Sequence, residues 1–176
     1  MGIVHKNSET NKKECLLSVI IRTHNSENVI EKAIESVLEQ TISKDIYELI
    51  IIDDDSADNT ENKIKSHDNK IKFIKGKKLG PIKAINIGIK ESRGKYYVLL
   101  DSDDTFELNA LEELLNTIKQ NNCDCVYSDY HEIDVEKNEI KTISLKNNIL
   151  NGIAAGVIFK KKSVNEVNNY DEELFS

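Results

Sequence analysis

The chain has 176 residues, 39% of them hydrophobic and 31% charged, with a formal net charge of -7. That length supports one buried core and suggests a single domain, and the acidic balance argues against nucleic acid or an anionic membrane surface as the main partner. No run approaches the roughly 20 apolar residues of a membrane helix, and the polar opening MGIVHKNSETNKKE lacks a signal-peptide core, so a cytoplasmic protein is expected.

Residues 1–15 read as a polar lead and residues 16–176 as the folded domain. Leu17–Thr23 (LSVIIRT) predicts a strand, and Asn25-Ser26 then offer caps for a helix whose apolar residues Val29, Ile30, Ala33, Ile34, Val37 and Leu38 recur at helical spacing. Tyr47–Ile52 predicts a second strand, followed by the loop DDDSADNT with Ser56, Asp58 and Asn59 as turn or cap residues. An amphipathic segment around Ile64 leads into a third strand, Ile71–Ile74, so the pattern is already β-α-β-α-β.

The basic loop Lys75–Pro81 (KGKKLGP) precedes a helix with Ile82, Ile85 and Ile89 on one face, ended by Arg93-Gly94. Tyr96–Leu100 predicts a fourth strand, Leu108–Asn121 a helix turning Leu111, Leu114, Leu115 and Ile118 inward, and Cys125–Ser128 a fifth strand. Cys15, Cys123 and Cys125 are odd in number and read as reduced core thiols. Beyond Ser128 the alternation weakens into a hairpin, Tyr130–Val135 with Ile140–Leu145, then a strand over Ile153–Lys160 and a short terminal helix.

Acids follow two of these strands directly, Asp53-Asp54-Asp55 after ELIII and Asp101-Ser102-Asp103-Asp104 after YYVLL. Ligands of open α/β sheets bind outside the carboxyl ends of the strands, and crowded acids repel one another, so such a floor calls for a cation, a hard divalent metal being the simplest. Lys77, Lys78 and Lys83 could meet a phosphate or simply be solvated. A receiver-type phosphoacceptor domain gathers acids at strand ends too, but it would place a pair after the first strand, where Arg22-Thr23-His24-Asn25 stand instead. His24, His67 and His131 share no metal-ligand spacing and read as structural, with only His24 adjacent to the strand ends.

In order and spacing, SVIIRTHNS, IIIDDDSADNT, GPIKAINIGI and GKYYVLLDSDD resemble the nucleotide-sugar half of family 2 glycosyltransferases with the GT-A fold. The resemblance covers Leu17 to Ser176 and implies a mixed, mainly parallel sheet flanked by helices, binding a nucleoside-diphosphate sugar, with UDP the expected carrier. It implies that Asp54 accepts a hydrogen bond from the uracil imide, that Thr23 and Asn25 line the base and ribose pocket, and that DSDD acts as a DxD motif holding Mn²⁺ or Mg²⁺. Strand alternation would aim Asp101 and Asp103 into one site. Asp103 is the first choice as metal ligand and Asp104 the second, with Asp101 facing ribose or a metal-bound water. The expected donor-binding set is thus Thr23, Asn25, Asp54, Lys83, Asp101, Ser102 and Asp103.

Three positions depart from the family's usual pattern: Ile85 stands where an arginine is common, Arg22 where a proline is common, and His24 where an aromatic is common. Inverting transfer to a saccharide, lipid or protein acceptor needs a carboxylate base, which the family places in an E-D motif shortly after a segment like Asn168–Leu174. Asp171, Glu172 and Glu173 resemble the lead-in to that motif, so the base is expected beyond Ser176. The alternative is a non-catalytic donor-binding or assembly module whose base comes from a partner.

Overall fold

The runs LSVIIRT, YELIII and YYVLL are nearly continuous in apolar residues because strands buried on both faces must be. In the computed structural model, which describes residues 14–67, 71–134, 136–145 and 156–175, they form the centre of one sheet. The elements are β1 (Leu17–Thr23), α1 (Ile30–Leu38), β2 (Tyr47–Asp53), α2 (Thr60–Lys65), β3 (Ile71–Lys75), α3 (Pro81–Glu91), β4 (Tyr96–Asp101), α4 (Ala110–Asn121), β5 (Cys125–Tyr127), β6 (Tyr130–Asp134), β7 (Glu139–Ile143), β8 (Val157–Lys160) and α5 (Lys161–Glu166), followed by a 3-10 turn at Glu172–Phe175.

The six-stranded sheet has the order β3-β2-β1-β4-β8-β5. β1 pairs in parallel with β2 and β4, and β2 with β3, while β8 runs antiparallel between β4 and β5. The sheet is therefore mixed and mainly parallel, as expected. β6 and β7 pair separately as a hairpin, with Ile133 opposite Ile140.

Alternation along each strand divides the core between two faces. Leu17, Val19, Ile21, Leu49, Ile51, Val98 and Leu100 pack against the apolar stripes of α1 and α4. Ile20, Ile50, Ile52, Tyr97 and Leu99 pack against Ala84 and Ile89 of α3. Gly88 lets α3 lie close to the sheet, since a Cβ there would stand 2.5 Å from Ile20 Cγ2 and 2.9 Å from Ile52 Cδ1.

Three local expectations change and one, at Asp58, holds. Asn25 and Ser26 do not cap α1 with their side chains: the Ser26 carbonyl accepts from Val29 and Ile30 N–H, and the helix opens at Ile30. Asp58 does act as a turn residue, its carboxylate accepting from Thr60 N–H at 3.0 Å and Glu27 N–H at 3.1 Å. Cys125 is exposed rather than core, because β5 is the edge strand, while Cys123 packs partly buried against the core. β8 begins at Val157, and residues 153–155 of the expected strand lie outside the described residues, as do residues 1–13 of the polar lead. Among the described residues no helix is long and apolar enough to cross a membrane.

Candidate functional site

The sheet order sets β2, β1 and β4 side by side, so the loops after Asp53, Thr23 and Asp101 leave from one edge. Backbone and side-chain hydrogen bonds tie them together. Asp54 N–H donates to the Thr23 carbonyl at 2.9 Å, and His24 Nδ1 lies 2.7 Å from the Asp54 carbonyl. A carbonyl can only accept, so His24 carries its proton on Nδ1 there, leaving Nε2 to accept from the Asn25 amide at 2.9 Å. Asn25 adopts a left-handed backbone (φ 50°), which this residue tolerates better than most. Its N–H donates to Ser56 Oγ and its Oδ1 accepts from Ala57 N–H, both at 2.8 Å. Ser26 Oγ meets Ser102 Oγ at 2.9 Å, linking the β1 loop to the β4 loop.

Thr23 and Asp53 are register partners on the α1 side and are both buried. The Asp53 carboxylate accepts from the Ser56 hydroxyl and N–H through Oδ1, whereas its Oδ2 and the Thr23 hydroxyl have no protein partner. Thr23 is only 2% exposed, and it is its carbonyl that meets the Asp54 loop.

Asp54 is engaged by the basic loop before α3. Its Oδ1 accepts from Leu79 N–H at 2.6 Å and its Oδ2 from Gly80 N–H at 2.8 Å. Gly76, whose N–H donates to the Asp53 carbonyl at 2.7 Å, is buried beneath, and a Cβ on it would fall 2.8 Å from Asp54 Oδ1. Asp54 thus fastens the loop that opens α3, and each of its oxygens keeps a second lone pair for a ligand donor. Lys77, Lys78 and Lys83 of this region are exposed.

The DSDD run departs from strand geometry after its first residue. β4 ends at Asp101, and Asp104 N–H folds back onto the Asp101 carbonyl at 3.1 Å, so a turn and not strand alternation orients Asp103 and Asp104. Asp103 is exposed and Asp104 half-buried. Burial, then the neighbouring Asp103 and Asp101 charges, push the Asp104 carboxyl above the ordinary carboxylate range. Asp101 pairs with Arg22, Nη2 to Oδ1 3.5 Å.

For a divalent metal these carboxylates are suitable oxygen donors, and the Asp103 and Asp101 charges that add to burial in raising the Asp104 carboxyl are the kind a cation relieves. No group of three or more His, Cys, Asp or Glu side chains stands ready to hold one among the described residues. A metal held here would draw only part of its oxygen donors from these carboxylates.

Two residues escape a reading of the sequence. Arg22 stands out there only as a departure from a proline pattern, and its register opposite Asp101 needs the sheet order. Asn86 holds the segment after α5: it donates to the Tyr170 carbonyl at 2.9 Å and to Glu172 Oε1 at 3.2 Å, and accepts from Tyr170 N–H at 3.2 Å. With Lys90, Lys161, Asp171 and Glu172 it lines a depression of about 870 Å³ that includes none of the strand-end acids. His67 and His131 stay outside the site, His67 Nδ1 meeting the Lys63 carbonyl and His131 meeting Thr142.

A mainly parallel sheet with acids at its carboxyl edge is the architecture of the GT-A glycosyltransferases, and solved structures agree. Staphylococcus aureus TarS 1-349, solved in complex with UDP-GlcNAc, superposes with a TM-score of 0.75 at 24% identity over 92% of this chain and 50% of that one. The Pyrobaculum calidifontis mannosyltransferase PcManGT, solved with GDP-Man and Mn²⁺, gives 0.70 at 17% identity over 88% of this chain and 47% of that one. Residues 18–168 match the profile of Glycosyl transferase family 2, and the chain belongs to that family. The S. aureus poly(ribitol-phosphate) beta-N-acetylglucosaminyltransferase TarP is 39% identical over 137 residues, covering 76% of this chain. The chain spans 42% of the length of that relative and 21% of a Rickettsia bellii glycosyltransferase.

Proposed function

We propose that this chain binds a nucleoside-diphosphate sugar, foremost a UDP-sugar, together with a divalent metal, as the donor part of an inverting glycosyltransferase acting on a saccharide, lipid or protein acceptor. The observation that carries the reading is the linkage of three loops at one sheet edge, Thr23–Ser26, Asp53–Ser56 and Asp101–Asp104, through the Asp54–Thr23, His24–Asp54 and Ser26–Ser102 contacts. The UDP-GlcNAc bound by TarS and the GDP-Man and Mn²⁺ bound by PcManGT, both of this fold, support it.

Within that reading Asp54 accepts from the base, Asn25 lines the ribose side, Thr23 shapes the pocket from below, and Ser102 with Asp101 meets the ribose or a metal-bound water. Asp103, with Asp104 second, holds the metal, and Lys83 meets the diphosphate. A bound metal would neutralise the diphosphate and stabilise it as a leaving group.

The test is a calorimetric titration of the protein with UDP, GDP, UDP-GlcNAc and GDP-Man, each with Mn²⁺ and with excess chelator. Metal-dependent UDP binding is the expected result. Absence of binding by every nucleotide with Mn²⁺ present would overturn the reading, and preference for GDP would reassign the base.

A further inference from the structure

Arg22 and Asp101 are direct register partners on adjacent parallel strands, so their side chains leave the same, α3-facing side of the sheet. The guanidinium lies 3.5 Å from Asp101 Oδ1, a loose contact between side chains 41% and 37% exposed. An exposed pair of this kind is held weakly and exchanges at little cost. Arg22 is nonetheless a permanent cation with five donors in a planar fork, suited to phosphate oxygens. It stands against an edge that carries Asp54, Asp101, Asp103 and Asp104, the acids a dianionic ligand would have to approach.

Given the donor-binding reading above, we infer that Arg22 is the resident cation of this site. It neutralises Asp101 while the site is empty and turns to the diphosphate when a nucleoside diphosphate enters. Two consequences of opposite sign follow. Without nucleotide, Arg22 offsets the Asp101 charge and repels a metal ion at the adjoining Asp103 and Asp104, so metal alone binds weakly. With nucleotide, the same guanidinium adds a charge-assisted hydrogen bond to a phosphate oxygen, so binding is tightened. The metal is then recruited mainly together with the diphosphate, in keeping with a carboxylate set that forms no complete cage by itself among the described residues.

The experiment compares wild type, Arg22→Gln and Arg22→Lys by calorimetry with Mn²⁺ alone, with UDP in saturating Mn²⁺, and with uridine, and adds a thermal melt of each protein. For Arg22→Gln the expected result is Mn²⁺ affinity raised severalfold, UDP affinity lowered about tenfold, and uridine affinity unchanged. Arg22→Lys, which keeps the charge but not the fork, should leave Mn²⁺ affinity near wild type and lower UDP affinity less. Mn²⁺ and UDP affinities that move together, or a uridine affinity that falls as far as that of UDP, would overturn the role of Arg22. Should wild type bind no UDP at all, the donor-binding reading fails by itself, while the Mn²⁺ titrations still decide whether Arg22 guards Asp101. If Arg22→Gln melts too low to titrate, Arg22→Lys decides the matter: UDP affinity equal to wild type would overturn the phosphate contact.

Discussion

Asn86 and Tyr170 hold each other through a reciprocal pair of hydrogen bonds, side-chain amide to backbone carbonyl at 2.9 Å and backbone N–H to amide oxygen at 3.2 Å. A residue in the middle of α3 thereby fixes a segment 84 positions later in the chain, and the same amide reaches Glu172. Asn86→Ala should cost about 1–3 kcal/mol of stability, since it leaves the backbone groups of Tyr170 without partners. Hydrogen exchange should show the loss of protection at Tyr170, while UDP affinity stays at the wild-type value. A fall in UDP affinity equal to the fall in stability would place the 170–172 segment in the donor site.

Asp54 serves the loop before it serves any ligand, because both its oxygens already accept from Leu79 and Gly80. Asp54→Ala should therefore lower thermal stability and, if the imide is also read, cost about 1–3 kcal/mol in UDP affinity. Pyrophosphate, which has no base, separates the two effects. Equal losses for UDP and pyrophosphate would show that Asp54 acts only by shaping the loop.

Asp103 is exposed in a turn and supports no packing, so Asp103→Asn should leave the melting temperature unchanged or slightly raised. Removing a carboxylate from this cluster should weaken Mn²⁺-assisted UDP binding, with chelator-treated UDP binding unaffected. Unchanged metal-dependent affinity would move the ligand assignment to Asp104.

At the opposite, amino-terminal end of the strands, Glu48 is 8% exposed and accepts from Ser18 Oγ at 2.7 Å, Arg93 N–H at 2.6 Å and Arg93 Nε at 2.9 Å. Burial pushes its carboxyl up, but the hydrogen bonds from the Arg93 backbone, Ser18 and the Arg93 guanidinium outweigh it and hold the carboxyl below the ordinary range. A group depressed in the folded state contributes stability that is present above its unfolded pKa and is lost as pH falls through the folded one. Thermal melts should thus lose stability on acidification below the ordinary glutamate range, and Glu48→Gln should both lower stability at neutral pH and flatten that acid dependence. An equally steep acid limb in the variant would assign the loss to other carboxylates.

The strands were legible in the chain because burial on both faces demands continuous apolar runs, so LSVIIRT, YELIII and YYVLL stand out against their polar flanks and end within a residue of the observed bounds. The acids after two of those strands were legible for the same reason, since clustered carboxylates mark where such runs leave the core, while the lone Glu48 inside one is met by Ser18 and Arg93. Sheet order was not, because pairing joins residues far apart in the chain: only the β2-β1-β4 arrangement sets Arg22 opposite Asp101. Nor was the turn at Asp101–Asp104, where one backbone hydrogen bond replaces the strand alternation that the residue pattern suggested. The partners of Asp54, Asn25 and Asn86 were likewise decided by tertiary structure. Short polar side chains hydrogen-bond to whatever backbone the fold brings within about 3 Å, and that choice leaves no periodic trace in the sequence.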